Sequence, residues 1–389
     1  MSPLSNAYLR EEQLHRMEPF YPLHAYVCAK CFLVQLEEFE SPDKIFSDYA
    51  YFSSFSESWL KHCEEYSVRM IERLKLDSKS KVVEIASNDG YLLQYFKKRG
   101  VPVLGVEPAE NVAKTAIQKG IPTEVMFFGT ETARTLLAKG NGADLIVGNN
   151  VLAHVPDLNG FVAGMKVLLK PKGTITMEFP HLLSLMKENQ FDTIYHEHFS
   201  YFSLITVEQV FAKHGLRVFD VDMLSTHGGS LRIHARHQED ESRPVQKSVN
   251  DLRETEARAK LNEISTYLTF ADQVRATKRA LLEFLIDAKN NGKTVVGYGA
   301  PAKGNTLLNY CGVRTDLIDY TVDKSPHKQG HFLPGIHIPI KSPDAIRETK
   351  PDYVLILPWN LKTEIMEQMS GIREWGGKFV VPIPKTQVL

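Results

Sequence analysis

Cysteine is scarce in this sequence. Four cysteines occur among 389 residues, too few for the disulfide framework that stabilises small secreted domains. No apolar run is long enough to cross a bilayer, and the amino terminus lacks the hydrophobic core of a signal peptide. We therefore expect a protein of the reducing cytoplasm with no membrane partner.

An excess of charge of either sign is also absent. The formal net charge is -1, so nothing predicts electrostatic capture of nucleic acid. Hydrophobic residues make up 43% of the chain and charged residues 24%, which is typical of a globular protein. A chain of 389 residues exceeds one ordinary domain, so two or three domains are expected.

The stretch KVVEIASNDGYLL lacks the glycine fingerprint of a dinucleotide-binding turn. A β-branched run that contains Glu84 predicts a buried strand, and a helical pattern follows the polar turn of Ser87, Asn88 and Gly90. Such a strand–turn–helix unit presents backbone N–H groups to a ligand. With a single glycine and a strand-end carboxylate, the turn suits an amino-acid-bearing ligand better than a pyrophosphate.

Three further strands follow in an order that resembles a class I S-adenosylmethionine-dependent methyltransferase. VLGVEPAENVA places Glu107 and Pro108 after a second strand, where an acid can accept both hydroxyls of a ribose. DLIVGNNVLAHVPD ends a third strand at Asn149 and Asn150, and VLLKPKGTITMEFP contains a fourth. The predicted fold is a doubly wound α/β sheet that binds S-adenosylmethionine. A purely structural set of βαβ turns is the alternative.

Two segments combine histidine or hydroxyl groups with aromatic residues. In TIYHEHFSYFS, the neighbours Tyr195, His196, Glu197 and His198 suit acid–base chemistry, because a carboxylate can tune an imidazole. The pattern is a poor zinc motif, and a satisfied surface cluster is the alternative. The segment DYAYFSSFS, which contains Tyr49, could be plain packing or a lid over a ligand.

The amino-terminal part contains one C-x-x-C knuckle. Cys28 and Cys31 supply two thiolates, whereas a structural zinc needs four ligands. The two other cysteines, Cys63 and Cys311, are distant in sequence. A complete zinc site, a redox pair and chance spacing all remain open from the residues alone.

The last part of the chain predicts a second, smaller doubly wound unit. KTVVGYGAPAKGNTLLNY has a strand that enters a glycine turn, and Lys303 beside this turn suits a phosphate or diphosphate group. Asp323 follows the next strand and could meet a ribose. The expected segments are a head and aromatic lid (1–79), a methyltransferase core (80–238), a helical connection (239–290) and a Rossmann-like domain (291–389).

Motifs along nearly the whole chain resemble those of the sugar C-methyltransferase family. They include PLSNAYL, CAKCFLVQ, DYAYFSSFS, VVEIASNDGYLL, GVEPAENVA, NNVLAHVPD, YHEHFSYFS, HGGSLRIHA and GYGAPAKGNTLLNY. The resemblance implies S-adenosylmethionine-dependent methylation of a ring carbon in a nucleotide-linked 4-keto-deoxysugar. It also implies a zinc-binding head, a methyltransferase core and a Rossmann-like domain that helps to hold the nucleotide sugar.

The resemblance also implies roles for individual residues. His198 would be the base, Tyr195 and Glu197 would position it or the substrate, and His154 and Tyr49 would lie near the methyl group or keto oxygen. The cofactor would contact Glu84, Ser87, Asn88, Gly90, Glu107, Pro108, Asn149 and Asn150. The substrate would contact His196, His227, Lys303 and Asn305.

One departure from the family pattern concerns the metal. In the family, PLSNAYL follows a further C-x-x-C that completes the zinc site, whereas here Met1 falls just before that stretch. We therefore expect this chain to hold zinc poorly, and the chemistry itself requires no metal. A monomer or weak dimer is expected. The alternatives are an O- or N-methyltransferase on the same scaffold and a non-catalytic nucleotide-sugar binding protein.

Overall fold

The computed structural model of the protein describes residues 1–41 and 52–389. The predicted catalytic residue Tyr49 therefore lies outside the described residues. The described chain divides into two compact units, each built from more than one stretch of sequence. The first, called the core unit, comprises Val27–Leu182 and Glu197–Asn262, and the second, called the carboxyl-terminal unit, comprises Met1–Tyr26, Leu183–His196 and Glu263–Leu389.

The strands up to residue 262 build one large and one small sheet. They are β1 (Tyr26–Val27), β2 (Val34–Gln35), β3 (Val82–Ile85), β4 (Val103–Val106), β5 (Thr123–Glu124), β6 (Ala143–Asn149), β7 (Leu169–Pro180), β8 (Ser200–Tyr201), β9 (Leu216–Leu224) and β10 (Ser230–His237). The large sheet has the order β5-β4-β3-β6-β7-β10-β9, and the small sheet has the order β1-β2-β8.

The large sheet confirms the predicted class I methyltransferase fold. Strands β5, β4, β3, β6 and β7 pair in parallel, whereas β10 runs antiparallel to both β7 and β9. The first strand of the sheet, β3, lies in its centre, so the strand order reverses beside it. In open α/β sheets, ligands bind outside the carboxyl ends of the strands near such a reversal.

Helices cover both faces of this sheet. The helices up to residue 262 are α1 (Glu57–Leu74), α2 (Leu93–Lys98), α3 (Glu110–Gln118), α4 (Thr130–Ala138), α5 (Leu158–Leu168), α6 (Leu182–Lys187), α7 (Leu204–Lys213) and α8 (Lys247–Arg258). Of these, α6 belongs, except for its first residue, to the carboxyl-terminal unit. The start of α1 is capped by Ser56, whose hydroxyl accepts a hydrogen bond from the backbone N–H of Trp59 at 3.3 Å. Cys63, Tyr66 and Met70 lie on one face of α1 and are buried against the sheet.

Strand alternation decides which side chains meet α1. On β7, Met177 and Phe179 enter the apolar core on one face. Thr176 and Glu178 therefore point to the other face, where α1 packs. The carboxylate of Glu178 is thus buried beneath a helix.

The carboxyl-terminal unit confirms the predicted second doubly wound sheet. It contains α9 (Ile264–Leu268), α10 (Phe270–Asn290), α11 (Ala302–Cys311), α12 (Asp344–Thr349) and α13 (Lys362–Gln368), with β11 (Val295–Tyr298), β12 (Thr321–Val322), β13 (Ile340–Lys341), β14 (Tyr353–Ile356), β15 (Lys378–Val381) and β16 (Gln387–Val388). The sheet order is β13-β12-β11-β14-β15-β16, and β16 alone pairs antiparallel.

The compact units divide the chain differently from the expected linear segments. Helix α8, placed in a connection by the sequence, buries Val249 and Leu252 in the core beside β9. The first residues of the chain belong with the carboxyl-terminal unit, where Leu9 bridges to Phe332. Such pairings join residues hundreds of positions apart, so no local pattern announces them. The domain boundaries expected from the sequence therefore stay a prediction.

No helix among the described residues is both long and apolar enough to cross a membrane.

Candidate active site

The turn after β3 has the backbone of a ligand-binding loop. Ala86, Asn88 and Gly90 have φ angles of 58°, 49° and 78°, so the chain folds back sharply within five residues. The Asn88 side chain accepts hydrogen bonds from the N–H groups of Ser53 and Asp89, both at 3.0 Å. A side chain at Gly90 would also meet Ile121 at 2.9 Å. The glycine is therefore required by both conformation and space.

Glu84, at the end of β3, is fully buried. Neither of its carboxylate oxygens meets a donor in good hydrogen-bond geometry. Burial raises the pKa of Glu84 well above its ordinary value, the Tyr91 hydroxyl opposes this rise, and the charges of Glu107 and Asp89 add to it. An acid in this state gains from a cationic ligand, because a nearby positive charge stabilises the carboxylate.

Glu107 is built into the same edge of the sheet. One of its oxygens accepts the N–H of Asn88 at 2.9 Å, and the other accepts the N–H of Ala109 at 2.8 Å. Burial raises the pKa of Glu107, and these two hydrogen bonds oppose the rise. Each carboxylate oxygen has a second lone pair, so a pair of ribose hydroxyls can still donate to it.

Other predicted cofactor residues lie nearby with different roles. The hydroxyl of Ser87 packs over Gly105 of β4, and its backbone N–H donates to the carbonyl of Val106 at 3.3 Å, so Ser87 serves the shape of the turn. Asn149 hydrogen-bonds Tyr91, and Asn150, at φ 53°, has a buried side-chain oxygen without a hydrogen-bond partner. Pro108 follows Glu107 and is half-buried.

The residues at this edge fit S-adenosylmethionine. Glu84, Glu107 and Asp89 place three carboxyl groups at this edge, and the ligand carries positive charges on sulfur and nitrogen that stabilise ionised carboxylates. The buried side-chain oxygens of Glu84 and Asn150 can accept hydrogen bonds from its ammonium and hydroxyl groups. The structure thus brings the acids and amides predicted from the sequence to the same edge of the sheet. Each contact between these residues and the cofactor stays a prediction.

His154 and His198 meet in the core unit. His154 ends a short 3₁₀ turn after β6, and the N–H of Phe199 donates to the carbonyl of Ala153 at 2.7 Å. This bond holds the two segments together, and the imidazole centroids lie 4.6 Å apart at an interplanar angle of 77°. Burial lowers the pKa of His154 to about 4, against a hydrogen bond to the backbone of Glu197 that raises it.

The other residues of the YHEH segment have separate surroundings. Glu197 is buried and Tyr195 half-buried. The ring of His196 lies 3.0 Å from the carbonyl oxygen of Pro22 and packs edge-on against Tyr21. His196 therefore serves the packing of the carboxyl-terminal unit, and a substrate contact of this ring would compete with that role.

A charged cluster beside this edge was missed by the sequence analysis. Glu178, near the end of β7, is fully buried, and its carboxylate contacts His62 at 3.0 Å, Thr226 at 2.8 Å and Arg232. Burial opposes ionisation, but the hydrogen bond from His62 and the charge of Arg232 hold the pKa of Glu178 at about 2. The one available signal was an acid within the apolar run TITMEFP.

His227 lies next to this cluster. It has φ 55° in a turn with Gly228 and Gly229, and its ring meets Trp59 edge-on at 5.3 Å between centroids. Left-handed backbone at a non-glycine residue is uncommon and clusters at functional sites.

In the carboxyl-terminal unit, Lys303 follows the glycine turn and contacts residues of the same unit. Gly299 has φ 89°, and the ammonium group of Lys303 donates to Asn360 at 2.8 Å and lies over the Trp359 ring. Asn305 is fully buried and its side-chain nitrogen has no acceptor. Lys303 is thus tethered, and Asn305 holds an unused donor.

Two acids near that turn already have internal roles. Asp323 accepts the N–H of Ala300 at 2.8 Å. Asp192, which the sequence analysis did not single out, is buried and accepts a hydrogen bond from the Trp359 indole at 2.7 Å.

The C-x-x-C knuckle forms a tight turn. The N–H of Phe32 donates to the carbonyl of Cys28, and the N–H of Cys28 donates to that of Leu33, both at 2.9 Å. Among residues 1–41 and 52–389, no group of three or more potential ligands brings a third side chain to Cys28 and Cys31.

Comparison with protein families covers almost the entire chain. A model described as "Methyltransferase domain" matches residues 59–221, and one described as "C-methyltransferase C-terminal domain" matches residues 225–384. A model described as "Putative zinc binding domain" matches residues 1–46.

The chain is also similar to individual proteins. The chain is 37% identical over 390 residues to the C-methyltransferase NovU of Streptomyces niveus, which covers 100% of this chain and 92% of NovU. It is 30% identical to the ubiquinone biosynthesis O-methyltransferase of Bartonella tribocorum over 117 residues, or 29% of this chain and 46% of that protein. The magnesium protoporphyrin IX methyltransferase of Synechocystis PCC 6803 with bound SAM superposes with a TM-score of 0.34 at 14% identity, over 50% of this chain and 88% of that one.

Proposed function

The chain belongs to the C-methyltransferase family of S-adenosylmethionine-dependent enzymes, and on that premise we propose that its substrate is a nucleotide-linked 4-keto-deoxysugar, methylated at a ring carbon. The observation that supports this most is the full-length similarity to a C-methyltransferase. The O-methyltransferase relatives match less than a third of the chain. The proposal includes a cytoplasmic monomer or weak dimer without nucleic-acid or membrane partners.

His198 is proposed as the base that removes a proton from the carbon beside the ketone. The ring of His154 lies against it, and a pKa of about 4 keeps His154 neutral near neutral pH. A neutral neighbour exerts no charge repulsion on His198 when His198 gains a proton. General base catalysis of this kind contributes about 10²–10⁴-fold in rate.

Tyr195, Glu197 and Tyr49 complete the proposed catalytic group. A tyrosine hydroxyl can donate to the keto oxygen as negative charge develops there, and such donors commonly contribute about 10²–10³-fold. Glu197 directly precedes His198 in the sequence and is buried, and it is proposed to orient the substrate or the base.

The cofactor residues hold the methyl donor by charge and hydrogen bonds. Bound S-adenosylmethionine supplies an electrophilic methyl group on a sulfonium. Glu84 and Asn150 offer acceptors, Glu107 accepts ribose hydroxyls, and the backbone of the turn at Asn88 and Gly90 forms the loop around it.

The residues proposed to bind the nucleotide sugar are His227, Lys303 and Asn305. The unused donor of Asn305 supports this assignment. Lys303 would exchange its bond with Asn360 for a phosphate oxygen. His196 is the weakest member, because its ring is engaged with Pro22.

Incubation with isotope-labelled S-adenosylmethionine and a panel of nucleotide-linked 4-keto sugars tests the substrate. The expected product carries the label in a new carbon–carbon bond, visible by nuclear magnetic resonance. A label on oxygen or nitrogen would identify a different methyltransferase, and no transfer to any sugar would contradict the proposed substrate.

Solvent exchange tests the base. The protein should exchange the substrate proton beside the ketone with D₂O even without a methyl donor, and His198→Asn should slow this exchange about 10²-fold or more. The exposed His15 provides the control His15→Asn, which should exchange normally. Near wild-type exchange in His198→Asn would transfer the role to Tyr195 or His154.

A further inference from the structure

Four contacts converge on Glu178, which no role in the reaction yet explains. Its carboxylate contacts His62 of α1, Thr226 of the loop before β10, and Arg232 of β10. Its backbone carbonyl accepts the N–H of Asn150 at 2.7 Å. Glu178 and Arg232 are 0% and 1% exposed, so the pair is sealed beneath α1. The Glu178 cluster, as we call Glu178, His62, Thr226 and Arg232, joins α1, β7, the loop before β10 and β10 itself.

Two of these contacts, those of His62 and Thr226, lead to the side chain of Trp59. The ring of His62 stacks on Trp59 with centroids 5.0 Å apart and an interplanar angle of 22°. Thr226 directly precedes His227, whose ring meets the same Trp59. Trp59 in turn lies 6.0 Å from Tyr91, which interacts with Glu84 and Asn149. A continuous chain of contacts therefore links Glu178 to the predicted cofactor residues.

We propose that Glu178 is a positioning residue for methyl transfer: through His62 and Thr226 it holds Trp59 and His227 as one rigid aromatic wall beside the cofactor turn. The wall would confine the sulfonium methyl group and the sugar carbon to one relative position. This inference rests on the proposed function in so far as the wall faces a methyl acceptor.

Half-buried side chains are held less firmly than buried ones, and this difference is the physical reason for the proposal. Trp59 and His227 are only half-buried, so their rings would sample several rotamers without support. A buried carboxylate that is held by Arg232 is a fixed point, because displacing it would strand a charge without its partner. Fixing two rings to this point limits the motion of both. Misplacement of reacting groups by about 1 Å can cost about 10²-fold in rate.

A purely structural role makes a different prediction, and α1 offers the matched control. One turn further along the same helix face, the Tyr66 hydroxyl lies 2.5 Å from Thr176 of the same strand. This bond also joins α1 to β7, yet it touches neither Glu178 nor the aromatic wall. Tyr66→Phe removes it and keeps the ring beneath Arg232.

The test uses His62→Gln and Thr226→Val in the full-length chain. Both leave the Glu178–Arg232 pair intact, so neither strands a buried charge. Each variant should lower kcat for methyl transfer about 10- to 100-fold. The affinity for S-adenosylmethionine should change less than about threefold, because Glu107 and the turn are untouched. Tyr66→Phe should lose thermal stability but keep kcat. The positioning role is overturned if Tyr66→Phe lowers kcat as much as His62→Gln and Thr226→Val do. It is also overturned if His62→Gln and Thr226→Val keep the wild-type kcat.

Tryptophan fluorescence separates this inference from the substrate assignment. Addition of S-adenosylmethionine should change the emission of Trp59, identified by its loss in Trp59→Phe, and His62→Gln should diminish that change. This readout needs no sugar. Wild-type protein that methylates none of the sugars would contradict the proposed substrate alone. An emission response of Trp59 that is identical in wild type and His62→Gln would overturn the wall itself.

Discussion

Three carboxyl groups share the carboxyl edge of the core sheet, and their surroundings differ. Glu84 is buried without a well-aligned donor, Asp89 is paired with Lys119 at 3.0 Å, and Glu107 accepts two backbone N–H groups. A fourth acid, Glu178, is held ionised by His62 and Arg232. The same carboxyl chemistry thus has four different surroundings: no well-aligned donor at Glu84, an ammonium partner at Asp89, two backbone donors at Glu107 and an imidazole and a guanidinium at Glu178.

Replacement of Glu107 tests the ribose assignment. Glu107→Ala should weaken binding of S-adenosylmethionine by about 1–3 kcal/mol, because it removes a charged acceptor. It also leaves the N–H groups of Asn88 and Ala109 without their partner. Isothermal calorimetry measures the change. The control Glu110→Ala alters an exposed acid three residues away and should bind normally. Wild-type affinity in Glu107→Ala would contradict the assignment.

At the scale of elements, the turn between β3 and α2 depends on one glycine. Gly90 and Gly100 have nearly the same φ, 78° and 76°, but only Gly90 is crowded, since a side chain there meets Ile121 at 2.9 Å. The pair separates backbone strain from steric clash.

Alanine at these two glycines should therefore have unequal effects. Gly100→Ala should cost about 1 kcal/mol of unfolding free energy, the usual penalty for left-handed backbone. Gly90→Ala should cost about 1–3 kcal/mol more, from overpacking, and should also weaken cofactor binding. Urea unfolding and calorimetry measure both. Equal losses at the two positions would show that the contact with Ile121 is readily relieved.

The 3₁₀ turn at Phe191–Thr193 introduces a pH dependence into the carboxyl-terminal unit. Burial raises the pKa of Asp192 from 3.8 to about 7, against the charge of Lys303, which lowers it. In that pH range the folded protein keeps the proton that the unfolded chain has released. Stability therefore falls as pH rises from about 4 to 7, and the loss is complete above pH 7.

Asp192→Asn should remove this dependence. Between pH 5 and pH 8 the wild type should lose about 2–4 kcal/mol of stability relative to the variant, whose amide can still accept from Trp359. Thermal unfolding across this range measures the difference. Asp316→Asn, at an exposed position of the same unit, should track the wild type. Parallel curves for wild type and Asp192→Asn would mean that Asp192 is ionised throughout.

At the scale of the whole molecule, the amino-terminal part of the chain leads to a prediction about zinc content. The family model for residues 1–46 is described as zinc binding, whereas in the described ranges no third ligand joins Cys28 and Cys31. Two thiolates leave half of a tetrahedral site to water, and structural zinc sites are closed by four protein ligands.

Purified protein should accordingly retain well under one zinc per chain after dialysis against a mild chelator, as measured by elemental analysis. Cys28→Ser should make little difference to that value. One zinc per chain that survives dialysis, and that Cys28→Ser abolishes, would show that other residues complete the site.

The sequence alone was sufficient for the local units of this fold and for its family. Strand, turn and helix at Glu84 to Gly90 follow from short-range periodicity and backbone preference, and the order of such units indicates the sheet. The family motifs placed Glu107 and His198 in recognisable contexts. These features can be predicted because residues close together in the sequence determine them.

Tertiary structure alone decided which distant residues meet. Residues 62, 178 and 232 form one cluster because β10 enters the sheet beside β7 and α1 crosses that face, a consequence of strand order and register. The chain also returns to the carboxyl-terminal unit at Leu183–His196, between two segments of the core unit. Such contacts depend on the packing of whole elements, and no short stretch of sequence contains that information.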